Sequence, residues 1–273
     1  MDDNRDQRSA PSVTRAAARV LERGGIAALI TVIEGPANVG AKLLVAPGSM
    51  PTGELGNEQL NTAVILQSTV FLDSCEETRS LRVQEFAPDL SDWAATLLLF
   101  ERIQPEPRLV ICGAGHVGAA LAKLSNFIGY ETTLIDDRPE FVTAERFHGH
   151  PKIELIAAED WTTAVRQAIG NGRGVSVAVV TRGHSQDEEC MHAVMSTNPD
   201  YVGLIGSKRR TSIVINRLKE AGASAEQLSR IHAPIGLDIR AVTPEEVALA
   251  IMAEIVAQRR GGTGGSLSAW RRK

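Results

Sequence analysis

Residues 108–118, RLVICGAGHVG, decide the fold that this chain is expected to adopt. An apolar run ends there in a G-x-G-x-x-G turn, and a helical pattern follows the turn. Gly113 permits the tight turn, Gly115 lets backbone amides approach a phosphate, and Gly118 lets the helix lie close to the strand. Asp136 ends the next apolar run roughly 20 residues later, where it is placed to accept from a ribose hydroxyl. The stretch therefore predicts binding of a nucleotide-like phosphate, and the alternative is a tight turn that binds nothing.

Apolar runs and helical patterns alternate after this turn, which is typical of a doubly wound parallel sheet. We therefore expect the α/β class, with a Rossmann-like C-terminal domain over residues 108–260. A capping box from Thr243 to Glu246 opens its last helix. The predicted strands are residues 108–112, 131–135, 175–180 and 201–205, and the predicted helices before the last begin near residues 116, 160, 187 and 208.

The residues before this domain are expected to form a smaller, mixed α/β N-terminal domain, residues 1–103. Each proline of residues 104–107, QPEP, removes a hydrogen-bond donor and favours extended backbone before it, so these residues form the predicted linker. Glycines end the last helix, and residues 261–273 are expected to be a flexible tail. In the N-terminal domain, helices are predicted at residues 12–23 and around 58–71, and strands at residues 26–34, 41–46, 81–86 and 95–103.

Composition excludes several classes of protein. The 273 residues carry 29 Lys and Arg against 33 Asp and Glu, a net charge of −4, so nucleic acid is not an expected partner. No apolar stretch reaches the ~18–20 residues of a membrane span, and the charged N-terminus does not resemble a secretory signal. Cys75, Cys112 and Cys190 are scattered and form no C-x-x-C pair, so we expect no metal site and a cytoplasmic location.

Ligands of doubly wound sheets bind beyond the carboxyl ends of the strands, which makes the residues after each strand site candidates. After the run 175–180, Thr181 precedes His184 and Asp187, which are the candidate catalytic residues. In one interpretation His184 is an acid, a base or a ligand contact that Asp187 orients. In the other, Asp187 caps the next helix and His184 is merely exposed.

A second anion site is predicted after the run 201–205. Gly206 opens a turn there, Ser207 can cap the next helix, and the basic residues from Lys208 to Arg210 oppose the helix dipole unless an anion compensates. A solvated basic face is the alternative interpretation.

Charged residues also follow Asp136 directly. Arg138 either pairs with an additional phosphate or forms a surface ion pair with Asp137. The full set of expected ligand contacts is Gly113, Ala114, Gly115, His116, Val117, Gly118, Asp136, Asp137, Arg138, Thr181, His184, Gly206, Ser207 and Lys208.

Five strings carry a resemblance to a known family: GAGHVGAALA from Gly113, TLIDDRPEF from Thr133, VVTRGHSQDEE from Val179, YVGLIGSKRR from Tyr201 and PIGLDIRAVTPEEVALAIMAEIVA from Pro234. Together they resemble the xanthine dehydrogenase accessory factor (XdhC/CoxF/CoxI) family. The resemblance covers most of residues 108–258 in order, and the N-terminal domain matches more loosely. Relatives carry a Gly-Gly-Cys-x-Glu segment where this chain has residues 53–58, GELGNE, without cysteine.

The resemblance implies a maturation factor. Such a protein binds molybdenum cofactor, as molybdopterin or its nucleotide form, assists its sulfuration with a cysteine desulfurase, and delivers it to a molybdenum hydroxylase such as xanthine or CO dehydrogenase. Because molybdopterin carries a phosphate or a nucleotide diphosphate, a phosphate-binding turn suits it. The missing cysteine puts a sulfur-handling or cofactor-handling role of that segment in doubt.

The alternative is an NAD(P)-dependent oxidoreductase that uses the same Rossmann pocket. There Asp136 would select NAD and His184 would donate a proton. The sequence does not separate the two ligands, and whether the chain is an enzyme stays open, with an accessory protein favoured. A homodimer through the apolar N-terminal domain is compatible with the sequence.

Overall fold

The computed structural model describes residues 6–268 except residues 75, 171 and 173. Cys75 and residues 269–273 of the expected tail lie outside the described residues. The chain divides into two compact units between Pro105 and Glu106.

The N-terminal unit is built on an antiparallel sheet of five strands in the order β3-β2-β1-β5-β4. Apolar residues of the sheet pack with α2, and the rings of Phe71 and Phe100 lie 5.7 Å apart in this core. Asn57 caps α2 by accepting from the amide of Leu60. The elements are α1 (Asp6–Glu22), β1 (Ala27–Glu34), β2 (Lys42–Val45), β3 (Thr52–Gly53), α2 (Glu58–Asp73), β4 (Thr78–Arg82) and β5 (Leu97–Ile103).

The C-terminal unit is built on a parallel sheet of six strands in the order β11-β10-β9-β6-β7-β8. The chain runs outward from β6 through β7 to β8 and then returns to β9 on the other side of β6. The elements are β6 (Arg108–Cys112), α3 (His116–Phe127), β7 (Glu131–Asp136), β8 (Ile153–Ala157), α4 (Trp161–Ile169), β9 (Val175–Val179), α5 (His184–Met195), β10 (Tyr201–Leu204), α6 (Lys208–Glu220), α7 (Ala225–Ser229), β11 (Ile231–His232) and α8 (Pro244–Arg260).

Alternation along β6 distributes its side chains to two cores. Val110 and Cys112 join the apolar cluster that contains α4 and α5, whereas Leu109 and Ile111 join the cluster that contains α3 and α8. Helices therefore cover both faces of the sheet. This confirms the predicted class, a doubly wound Rossmann-like sheet with a separate mixed α/β unit.

The elements differ from the expectations at several places: helix α1 begins at Asp6 rather than at residue 12, and β3, α7 and β11 were not expected. The run 81–86 is not one strand, because β4 ends at Arg82 and Val83–Glu85 forms a 3₁₀ turn in which Glu85 accepts from the Arg82 amide. Strand β8 was not expected, since it is an edge strand with an irregular, partly exposed pattern. Helix α5 begins at His184 rather than near Asp187.

Candidate functional site

The glycine turn after β6 has two positions that only glycine fits. Gly113 has a φ of +111°, and a Cβ there would lie 2.7 Å from the Val180 carbonyl oxygen. A Cβ on Gly118 would lie 1.8 Å from the carbonyl oxygen of Gly113. Both glycines therefore let backbone segments touch, and the ligand contacts expected of them stay a prediction.

Gly115 differs from these two glycines. It has a φ of −65°, and a Cβ built on it would meet no heavy atom of the described residues within 4 Å. The space above Gly115 is open, so an external group can approach the amides at the start of α3. Ala114 is buried, Val117 is half-buried against the apolar core, and His116 is exposed beside this space.

Two helix starts in the C-terminal unit lack a side-chain cap from the residues that the structure describes. Helices α3 and α5 begin after Gly115 and Gly183, and neither N-cap position supplies a side-chain hydrogen bond. These two helices follow β6 and β9, which are neighbours in the sheet, so two sets of amide donors and two positive helix ends lie at the same edge. In contrast, side chains cap the other helices of this unit, at Asp160 for α4, Ser207 for α6, Ser224 for α7 and Thr243 for α8.

Asp136 holds the glycine turn together. Its Oδ2 accepts from the Ala114 amide at 2.6 Å and from Arg138 Nη2 at 3.0 Å, and its Oδ1 accepts from the amide and Nε of Arg138 at 3.0 and 2.8 Å. Burial acts to raise the pKa of this carboxyl, but the hydrogen bonds from Arg138 and Ala114 outweigh it and leave the pKa below its ordinary value. These four bonds use the acceptor capacity of one carboxylate. The geometry thus leaves no unpaired oxygen for the ribose contact expected of Asp136.

Arg138 is fixed by the same contact. Its guanidinium makes a two-point ion pair with Asp136, lies 3.8 Å from Asp137 Oδ1, and stacks 3.6 Å from the centre of the Phe141 ring. The hydrogen bond from Arg138 to Asp136 raises the pKa of Arg138 above its ordinary value. The expected ion pair of Arg138 with Asp137 is present at 3.8 Å, but the closer partner of Arg138 is the buried Asp136, and the expected phosphate contact stays a prediction.

Asp187 is buried and paired with Arg210. Its carboxylate accepts from Thr181 Oγ1 at 2.5 Å and from Nε and Nη2 of Arg210 at 2.9 and 2.5 Å. It lies four residues past Gly183, inside α5. Asp187 therefore neither caps the helix nor contacts His184, whereas His184 is exposed, as the second interpretation expected.

The loop after β10 is tied to the loop after β9 through Arg210. Arg210 Nη2 also donates to the carbonyl of Thr181 at 3.3 Å. Ser207 caps α6 as expected by accepting from the Arg210 amide, while Lys208 is exposed. Gly206, with a φ of +148°, packs against the Arg210 side chain. The predicted basic cluster is therefore divided, since Arg210 neutralises a buried aspartate and only Lys208 and Arg209 face solvent.

Two arginines were not among the expected contacts. Both lie at the crevice, which is the space beyond the carboxyl ends of β6, β7 and β9. Arg146 Nη1 donates to the carbonyls of Phe141 at 2.5 Å and Ala114 at 3.4 Å. Arg182 Nη2 donates to Asp137 Oδ2 at 3.2 Å. Sequence carries no local signal for the contacts with Ala114 and Asp137, because the partners lie 32 and 45 residues apart.

The remaining chemistry of the described residues is limited. No group of three or more His, Cys, Asp or Glu side chains among them is arranged to hold a metal ion. Cys112 and Cys190 are buried free thiols, and burial raises the pKa of Cys190. Within the same residues, the helices are too short or too polar for one to cross a bilayer.

A family model, the XdhC Rossmann domain, matches residues 109–255. The chain belongs to the XdhC family. The matched residues contain the glycine turn, the Asp136–Arg138 pair and the Asp187–Arg210 pair.

Curated relatives agree with this assignment. This XdhC-family chain is 29% identical over 232 residues to the uncharacterised protein YqeB of Escherichia coli K12, covering 82% of this chain and 41% of YqeB. It is 30% identical over 167 residues to a probable xanthine dehydrogenase subunit of Bacillus subtilis 168, covering 60% and 47%. It is 25% identical over 158 residues to the molybdenum cofactor insertion chaperone PaoD of Escherichia coli K12, covering 57% and 41%. The chain thus spans less than half the length of these relatives.

A crystal structure supports the fold. A xanthine dehydrogenase from Bacillus halodurans matches with a TM-score of 0.64 at 20% identity, covering 91% of this chain and 65% of that one. At this identity the likeness shows the fold alone.

Proposed function

We propose that this protein is a maturation factor that binds molybdenum cofactor by its phosphate or diphosphate at the glycine turn and delivers it to a molybdenum hydroxylase. The observation that carries the proposal is the open space at Gly115, next to two helix starts that no described side chain caps. Such amides and helix ends favour an anion. PaoD, a relative with this function in its name, supports molybdenum cofactor as the cargo.

The same geometry argues against a dinucleotide as the preferred ligand. An NAD-selective site offers a carboxylate oxygen to the ribose diol. Asp136 has both oxygens engaged by Ala114 and Arg138, so binding a ribose would require breaking a buried ion pair. A phosphate makes no such demand, because the amides of the turn can bind it without displacing Arg138 from Asp136.

Sulfuration is assigned to a partner. The two cysteines described in this chain are buried, and the pKa of Cys190 is raised, which disfavours a nucleophilic thiolate. We propose that a cysteine desulfurase supplies the sulfur while this chain holds the cofactor, and that the protein works in the cytoplasm.

Reconstitution tests the proposal. Purified protein is mixed with molybdopterin released from a molybdoenzyme, passed through a desalting column, and assayed for protein-bound pterin by fluorescence after oxidation. We expect retention that excess inorganic pyrophosphate reverses. Protein that elutes without pterin while binding NADH or NADPH in a parallel titration would instead support the oxidoreductase.

A further inference from the structure

An ion pair between Arg182 and Asp137 joins the two loops on either side of the glycine turn. Strands β7 and β9 flank β6 on its two sides, Asp137 follows β7, and Arg182 follows β9. The 3.2 Å hydrogen bond from Arg182 Nη2 to Asp137 Oδ2 therefore joins the two loops beyond the end of β6, where the turn begins. The pair therefore lies at the same edge of the sheet as the amides of the turn.

Three other arginines near the crevice have fixed partners: Arg146 donates to the backbone carbonyls of Phe141 and Ala114, and the other two pair with buried carboxylates. Arg138 is held by Asp136, whose side chain is 2% exposed, and Arg210 is held by Asp187, which is fully buried. If either arginine turned toward a ligand, an unpaired carboxylate would remain in the interior, which is strongly unfavourable. Their positions are fixed by the fold.

Arg182 is not committed in this way. Its side chain is 53% exposed, and its partner Asp137 is 29% exposed, so water can solvate the aspartate when the pair opens. Exposed ion pairs of this kind contribute little to stability. Arg182 can therefore change partner at small cost.

We propose that Arg182 determines the specificity of the crevice by leaving Asp137 and binding the phosphate of the ligand. A guanidinium binds two phosphate oxygens at once, and a phosphate carries more negative charge than a carboxylate. Asp137 thus acts as a competitor that a phosphate displaces and an uncharged sugar does not. The inference rests on the proposed function and adds to it the residue that selects a phosphorylated ligand.

Two substitutions with opposite expected effects test whether Arg182 exchanges Asp137 for the phosphate of the ligand, which we call the exchange. Binding of inorganic pyrophosphate to the full-length protein is measured by calorimetry for the wild type, Arg182→Ala, Asp137→Asn and the double variant. Arg182→Ala should weaken binding at least about tenfold, because one charge-assisted contact is lost. Asp137→Asn should tighten binding about two- to fivefold, because the competitor is gone, and this gain should vanish in the Arg182→Ala background.

A matched control separates the exchange from a general loss of charge. Arg217 of α6 is 54% exposed and pairs with Glu188 of α5. Arg217→Ala therefore removes a similar ion pair that lies outside the loops after β7 and β9. It should leave pyrophosphate binding within about twofold of wild type, as expected for a surface substitution.

The outcomes distinguish this inference from the proposed function. If Asp137→Asn and Arg182→Ala both weaken binding, the pair is only a structural tie and the exchange is refuted. The exchange is also refuted if Arg182→Ala leaves wild-type affinity, or if Asp137→Asn tightens binding equally in both backgrounds, as simple repulsion would. In those cases the wild-type protein still binds and the proposed function stands, whereas a wild type that binds no pyrophosphate overturns both.

Discussion

Substitution of the glycines in the turn separates ligand binding from folding. Gly115 occupies an ordinary backbone conformation with open space around its Cβ direction, whereas a Cβ at Gly118 would lie 1.8 Å from a backbone carbonyl. Gly115→Val should therefore fold and fail to bind. Gly118→Ala should lose stability, because the start of α3 must move away from the turn.

The magnitudes follow from these contacts. Replacing an N-cap glycine by valine costs about 1 kcal/mol of unfolding free energy, which corresponds to a fall of about 2–4 °C in Tm for a unit of this size. The overpacking at Gly118 costs about 2–3 kcal/mol, or about 4–12 °C. At Gly115, loss of two charge-assisted amide contacts at about 1.5 kcal/mol each weakens binding on the order of 100-fold.

Thermal unfolding and pyrophosphate calorimetry on both variants provide the assay. Gly118→Ala, at a temperature where it is folded, should retain more of the wild-type affinity than Gly115→Val. A folded Gly115→Val protein that binds pyrophosphate as tightly as wild type would refute the assignment of the ligand to the space above Gly115.

Three further predictions concern the charged residues. Arg210→Ala leaves the carboxylate of Asp187 buried and unpaired, so unfolding free energy should fall by about 3–5 kcal/mol in denaturant titrations, whereas exposed Arg209→Ala should change it by less than about 0.5 kcal/mol. The pKa of Asp136 in the folded state lies below its ordinary value of 3.8, so the stabilisation from its carboxylate is complete above pH 3.8 and is lost as the pH falls below it. The Tm difference between wild type and Asp136→Asn should therefore narrow only on acidification below that pH, and a constant difference would contradict this. His184→Ala should leave the affinity for pyrophosphate within about twofold of wild type, because the side chain is exposed and Asp187 does not orient it. A loss of about tenfold would show that His184 contributes to binding.

Local patterns explain which parts of the fold could be predicted. The turn from Gly113 to Gly118 combines a short apolar strand, fixed glycine spacing and a helix, all of which are read within a dozen residues. The capping box at Thr243 is equally local. Strand β8 was missed because it lies at the edge of the sheet and its apolar pattern is irregular.

The contacts of the site could not be predicted in the same way. Asp136 has the spacing of a ribose-binding residue, but its role depends on Arg138 folding back onto it and on the amide of Ala114, 22 residues away. The Asp187–Arg210 pair joins residues 23 apart on two helices. Such pairings depend on the packing of the whole unit, so sequence identifies the charged residues without their partners.

Mass spectrometry of small molecules released from freshly purified protein, expressed in its native host, tests the central claim most directly, because a phosphate-binding crevice often retains its ligand. The account predicts molybdopterin or its nucleotide form, lost from the Gly115→Val variant. Release of NAD or NADP in its place would contradict the account and move the search to a substrate beside His184.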